Sequence, residues 1–170
     1  MTPPSIYLHF ADKTELLFAV CEDRFGELDR RSAAAAAAAT DPLDEVRLRG
    51  EAYIRFGLEY PEQYRILFMG NHQPSDVTPE QMEQWACFAH MMEAVARAMD
   101  AGLIEPMDPY LLTVGLWAAV HGITSLVIAK PWFPWPPVNA IVDQLLGMCA
   151  FGFVRRDLDG RPVTAAAPHT

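Results

Sequence analysis

Apolar residues recur at intervals of three and four along almost the whole chain, and no stretch alternates with a period of two over the length of a strand. Leu17, Cys21, Phe25 and Leu28 keep helical spacing, with Leu16 and Val20 beside them. They predict a long helix that opens at Asp12 and runs into the alanine tract at 33–39, a strongly helix-forming tail. Val46, Tyr53, Ile54 and Phe56 predict a helix over 42–59. Pro61 introduces a short one over 62–69, ended by Gly70. The polar stretch 71–77 reads as a loop. Further helices are expected over 79–101, closed by Gly102, and over 109–129, stopped by Pro131. The Trp- and Pro-rich run 132–137 reads as a rigid turn before a last helix over 138–155. Asp41-Pro42, Thr78-Pro79 and Asp108-Pro109 punctuate the pattern: the first residue caps free N–H groups, and proline at the first helical position loses no hydrogen bond. A short segment over 3–10, capped by Thr2, completes an all-α reading.

Two helices are apolar nearly all round. On 109–129, Tyr110, Val114, Trp117, His121 and Ile128 form one stripe, and Leu112, Leu116, Val120, Ile123 and Val127 another. Gly115, Ala118, Ala119 and Gly122 lie between them. The last helix carries Val138, Ile141, Val142, Leu145, Leu146, Cys149 and Phe153. Such helices need cover on both sides. A homodimer in which each chain lends two helices to a four-helix bundle is the economical arrangement. Leu116, Val120, Ile123, Val127, Ile141, Leu145 and Cys149 are its expected interface; a larger monomeric core is the alternative. By length alone 111–129 could span a bilayer. Its small and hydroxylated residues suit a buried helix of a soluble protein better, and no membrane partner is expected.

Composition narrows the function. The net charge of −9 excludes a chain that binds nucleic acid through its bulk, so any DNA contact must be local. Cys21, Cys87 and Cys149 are odd in number and far apart, which argues against disulfides or zinc and for a reducing cytoplasm. There is no HExxH, Gly-x-Ser-x-Gly or phosphate-binding glycine loop, and His72, His90 and His169 lack metal spacing. No enzyme, catalytic residue, cofactor or metal is expected. Tyr53, Phe56, Tyr64, Phe68, Trp85, Phe88, Met92, Trp117 and His121, with Met69, Met91 and Met99, suit an adaptable apolar pocket. They suit ordinary core as well. His121 on its apolar helix needs a polar partner: Tyr53, Tyr64 or a ligand.

The segment 2–17, Thr-Pro-Pro-Ser-Ile-Tyr-Leu-His-Phe-Ala-Asp-Lys-Thr-Glu-Leu-Leu, resembles the end of the TetR-family helix-turn-helix. Its marks are small polar residues, a Tyr-x-His-Phe group, a two-residue turn, Lys and a Glu-Leu pair. Leu116-Trp-Ala-Ala-Val-His-Gly resembles the Trp…His-Gly signature of one TetR C-terminal subgroup, and so does the approach Gly102-Leu-Ile-Glu-Pro-Met-Asp-Pro109. The resemblance implies a TetR-like helical ligand-binding and dimerisation domain over 40–156. Before it would stand the remnant of a helix-turn-helix head over 1–31, with the recognition helix about 3–10 and the connecting helix from 12. A flexible tail, 157–170, would follow.

Thr2, Pro3 and Ser5 would lie near base edges, and Tyr7, His9 and Lys13 near phosphates. The function implied is a cytoplasmic DNA-binding repressor, released from double-stranded operator DNA by an apolar small-molecule effector. The alternative is a headless helical dimer that senses a ligand or binds a protein without DNA. The family's head has two helices before the recognition helix, roughly 30–45 residues at ordinary helix lengths, and the sequence does not include them. Residues 1 to about 12 are therefore expected to be poorly ordered. In gel shifts the 170-residue chain should bind operator weakly or not at all, while a form extended upstream in frame should bind it. Equal binding by both would contradict this.

Overall fold

The structure is a computed structural model that describes residues 13–69, 86–153, 156–157 and 160–162, the side chains of 13–22, 150, 151 and 153 aside. Among the described residues there are six α-helices: α1 (Lys13–Ala36), α2 (Pro42–Glu59), α3 (Pro61–Tyr64), α4 (Ala86–Asp100), α5 (Pro109–Ala129) and α6 (Val138–Phe153). A π-helical turn, Arg65–Met69, continues from α3. The expected bounds of α2 and α5 coincide with the observed ones. Both helices start as their sequences dictate. Asp41 Oδ1 accepts from the Asp44 N–H at 2.8 Å, and Asp108 Oδ1 accepts from the Tyr110 and Leu111 N–H groups at 2.8 and 3.2 Å. At the end of α4 the Leu103 N–H reaches Ala98 O at 2.9 Å and the Gly102 N–H reaches Met99 O at 2.8 Å. Gly102 has φ 71°, a conformation that glycine adopts without strain. The alanine tract behaves as expected only in part: α1 takes four of its alanines and ends at Ala36.

α2 is the hub, packed against α1, α3, α4, α5 and α6. One core cluster gathers Leu28, Tyr53, Ile54, Phe56, Tyr64, Leu67, Val120, Ile128 and Val142. A second gathers Val46, Ala94, Val95, Ala98, Ile104 and Leu116. Gly57 sets how closely α2 and α5 approach. A Cβ there would stand 2.3 Å from Thr124 Cγ2 and 2.8 Å from Tyr64 Cδ2.

The facing of α5 within the single chain is defined by what it buries. Its buried row is Thr113, Leu116, Val120, Thr124 and Ile128. Leu116 and Val120, expected at a dimer interface, are only 8% and 5% exposed within the single chain. Ile123 and Leu145 pack on the chain's own core, Val127 and Ile141 are half-buried, and Cys149 packs beside the second cluster. The two threonines can sit at the centre of the row because each hydroxyl donates to its own helix, to Pro109 O and Val120 O, at 2.7 Å. The row that faces outward is Leu111, Gly115, Ala118 and Leu126, with Leu111 66% and Leu126 51% exposed.

Near the end of the described residues Arg156 and Pro162 form an isolated antiparallel bridge, Asp157 accepts from the Arg161 N–H at 2.8 Å and Gly160 has φ 75°. The expected recognition helix and the Thr78 cap lie outside the described residues.

Replacing Gly57 with alanine should lower the thermal midpoint. Helix propensity favours the change by up to about 1 kcal/mol, but overpacking of a full contact costs about 1–3 kcal/mol. A midpoint equal to or above that of the parent would refute the close-packing argument.

Candidate functional site

Tyr53 lies in the middle of α2, and Tyr64 ends α3. Trp117, His121 and Ser125 follow one another at four-residue spacing on α5, so all three share a stripe. These five side chains form one polar chain. Trp117 Nε1–H donates to the Tyr53 hydroxyl at 3.2 Å, and the two tyrosine hydroxyls meet at 3.1 Å. The Tyr64 hydroxyl reaches His121 Nδ1 at 2.6 Å, and His121 Nε2 meets Ser125 Oγ at 3.2 Å. Burial lowers the His121 pKa and raises those of both phenols, so every member is neutral near pH 7. With Tyr64 donating to Nδ1 and Nε2–H donating to Ser125, every N–H and O–H that points along the chain has an acceptor. Tyr64 also stacks on the imidazole, with ring centroids 5.6 Å apart.

In front of this chain lies a cavity of about 820 Å³. Walls come from α1 (Phe25, Leu28), α2 (Val46, Tyr53), the π turn (Phe68), α4 (Phe88, Met91), α5 (Leu116, Trp117, Val120) and α6 (Leu146, Cys149). Its size and apolar walls suit a drug-sized molecule. Polar side chains converge on one part of the wall: Asp29, Ser32, Arg49 and Cys87. Arg49 Nε and Nη2 donate to Glu45 Oε1 at 2.9 and 2.8 Å, and its Nη1 donates to Ser32 Oγ at 3.2 Å. Arg97 grips the same carboxylate at 2.8 and 2.9 Å. Burial pushes the Glu45 carboxyl up, but the two guanidiniums outweigh it and hold the group below the usual carboxylate range. Burial pushes the Cys87 thiol up to about 11, so it is protonated near neutral pH and is no nucleophile. Among the described residues no cluster of three or more His, Cys, Asp or Glu is placed to hold a metal ion.

Of the residues expected to bind a ligand, Tyr53, Phe68, Phe88 and Trp117 line the cavity. Tyr64 and His121 stand behind Tyr53 and Trp117. Phe56 belongs to the core beside Tyr60, and half-buried Met92 is not part of the lining. Trp85 lies outside the described residues, as do Thr2, Pro3, Ser5, Tyr7 and His9; Lys13 begins α1. Sequence reasoning missed Arg49, Ser32, Asp29 and Cys87. For Arg49 a signal was present: it occupies a helical register shared with Val46, Gly50 and Tyr53, where a charged residue has to be buried.

The described residues thus form an all-helical bundle with an apolar cavity beside its first long helix. Residues 46–149 match the model of the tetracyclin repressor-like C-terminal domain, and the chain belongs to the TetR family. It is similar to a protein of unknown function from Rhodococcus sp. RHA1, at 25% identity and a TM-score of 0.75, over 86% of this chain and 76% of that one. It also shares its fold with a TetR family transcription regulator from Marinobacter aquaeolei VT8, at 21% identity and a TM-score of 0.73, over 92% of this chain and 80% of that one. No curated protein matches the chain. α5 is long and apolar enough to cross a membrane by length and composition; in this fold its inner row packs on α2.

The lowered pKa of His121 carries a signed prediction. As pH falls through the ordinary value of 6.5, the unfolded chain takes up a proton before the folded one does. Stability should therefore fall with pH from about 6.5 down to the folded-state pKa and level off below it. In His121→Gln this component should vanish, which thermal unfolding between about pH 7 and pH 5 will read. An unchanged pH slope in the variant would refute the assignment of His121 as a buried neutral acceptor.

Proposed function

We propose that the protein is a TetR-family transcriptional repressor, a cytoplasmic homodimer that releases operator DNA when an apolar small molecule occupies the cavity. The cavity carries this reading, because α1 supplies one of its walls. The same helix begins at Lys13, directly after the segment that resembles the family's recognition helix. Phe25 of α1 meets Phe68 of the π turn edge to face at 5.5 Å. A molecule entering the cavity presses on that contact and tilts α1, and with it the spacing of two recognition helices that must match half-sites about 34 Å apart. Thr2, Pro3 and Ser5 are assigned to base edges and sugars, and Tyr7, His9 and Lys13 to phosphates.

The partner subunit is assigned to the outward row of α5, Leu111, Gly115, Ala118 and Leu126, together with Met148 of α6, which is 63% exposed. Small residues between two leucines let a second helix come close.

The test uses the protein encoded by the complete reading frame. Duplex fragments selected by it should shift in gels, lose affinity steeply with salt, and be released by an apolar ligand. Ligand binding and dimerisation without any DNA selection would favour the DNA-independent sensor instead. Leu111→Glu with Leu126→Glu should convert dimers to monomers in light scattering and weaken operator binding by at least about tenfold. A dimer unaffected by both changes would place the interface elsewhere.

A further inference from the structure

The positive charges on the cavity wall, Arg47 and Arg49, are already matched within the chain. Arg49, almost fully buried, faces the cavity but is held by Glu45 and Ser32. Asp29 accepts from His90 Nδ1 at 2.8 Å. Asp44 and Arg47 pair with each other at 2.9 Å, and Arg47 reaches Glu51 at 3.2 Å as well. The remaining charged side chain among the described lining residues, Asp143, is exposed to water. An anion drawn into this space would leave its hydration shell and find no unmatched positive charge in the wall.

We propose, resting on the reading of the cavity as the effector site, that the effector carries no negative charge and that Glu45 is the residue that keeps an anion out. Glu45 lies behind the wall and touches no ligand. It acts by neutralising Arg49, which without it would offer a buried guanidinium to a carboxylate or phosphate. Shared between Arg49 and Arg97 through four hydrogen bonds and ion pairs of 2.8–2.9 Å, it is fixed in that position.

The test loads the purified protein with N-phenyl-1-naphthylamine, an uncharged dye that fluoresces in apolar surroundings. Decan-1-ol and decanoate, which share one chain and differ in head group, then compete for the site. Decanol should displace the dye at concentrations at least about tenfold lower than decanoate. In Glu45→Gln, decanoate should gain about tenfold relative to decanol. Glu45→Gln combined with Arg49→Met should restore the original ranking, which separates the effect of charge from that of altered packing.

Displacement by decanoate as readily as by decanol overturns the inference and leaves the cavity reading standing. So does an unchanged ranking in a folded Glu45→Gln protein. Failure of the dye to bind at all overturns the cavity reading, and this inference with it. Because the first ranking needs no substitution, the inference is testable even where a variant does not fold.

Discussion

The hydrogen bond from Tyr64 to His121 is the constraint on which the rest of the site depends. At 2.6 Å it fixes the short helix α3 against the middle of α5, and through the Tyr53 hydroxyl it holds α2 to both. Five polar groups are taken into an apolar interior here. Each would cost about 1–3 kcal/mol if left without a partner. Matched, they add only modestly to stability, so their value lies in specifying one arrangement and no other. The arrangement specified is the cavity wall. Tyr53 and Trp117 cannot turn into the open space without breaking the chain behind them, and Phe68 is held edge-on to the same imidazole, 5.8 Å away. The π turn that carries Phe68 is tied down at its other side, where Arg65 donates to Ile128 O at 2.8 Å. π turns inside helical segments recur at functional sites, and this one aims an aromatic ring into the cavity.

The two faces of α5 show why an apolar helix is hard to orient. Its inner row includes two threonines, and its outer row includes two leucines. Ranking residues by hydrophobicity would reverse the order. What decides is fit: α2 approaches so closely at Gly57 that the facing side chain must be short, and Thr124 fills the space with its methyl while its hydroxyl folds back on the helix. The leucines are left outside, available to whatever covers that face.

Helix existence and helix bounds were legible because they are set locally. Asp-Pro pairs and Gly102 act on the backbone within four residues of themselves, and the observed caps are the ones those residues predict. The partners of His121 were legible too, since a buried imidazole must be satisfied and two tyrosines were in reach. What was not legible depended on three helices meeting. Arg49, Ser32 and Cys87 come from α2, α1 and α4, and nothing in the spacing of any one helix brings them together. The facing of α5 was not legible for the related reason that an all-round apolar pattern holds no directional information.

On the proposed function, the attachment of α1 matters more than its length. Arg31 ties it to Glu59 at 2.7 Å and to the Tyr60 hydroxyl at 2.6 Å, but this clamp lies toward the C-terminal end of the helix, at the surface. Exposed ion pairs contribute about 0–1 kcal/mol. The contacts that fix the direction of the helix lie nearer the recognition segment: Phe25 against Phe68, and Leu28 buried in the core. An aromatic pair of this kind is worth about 0.5–1.5 kcal/mol beyond the area it buries. Both residues are also walls of the cavity. An occupant therefore acts on the contacts that aim the helix and leaves the pivot at Arg31 untouched, which is the arrangement a lever requires.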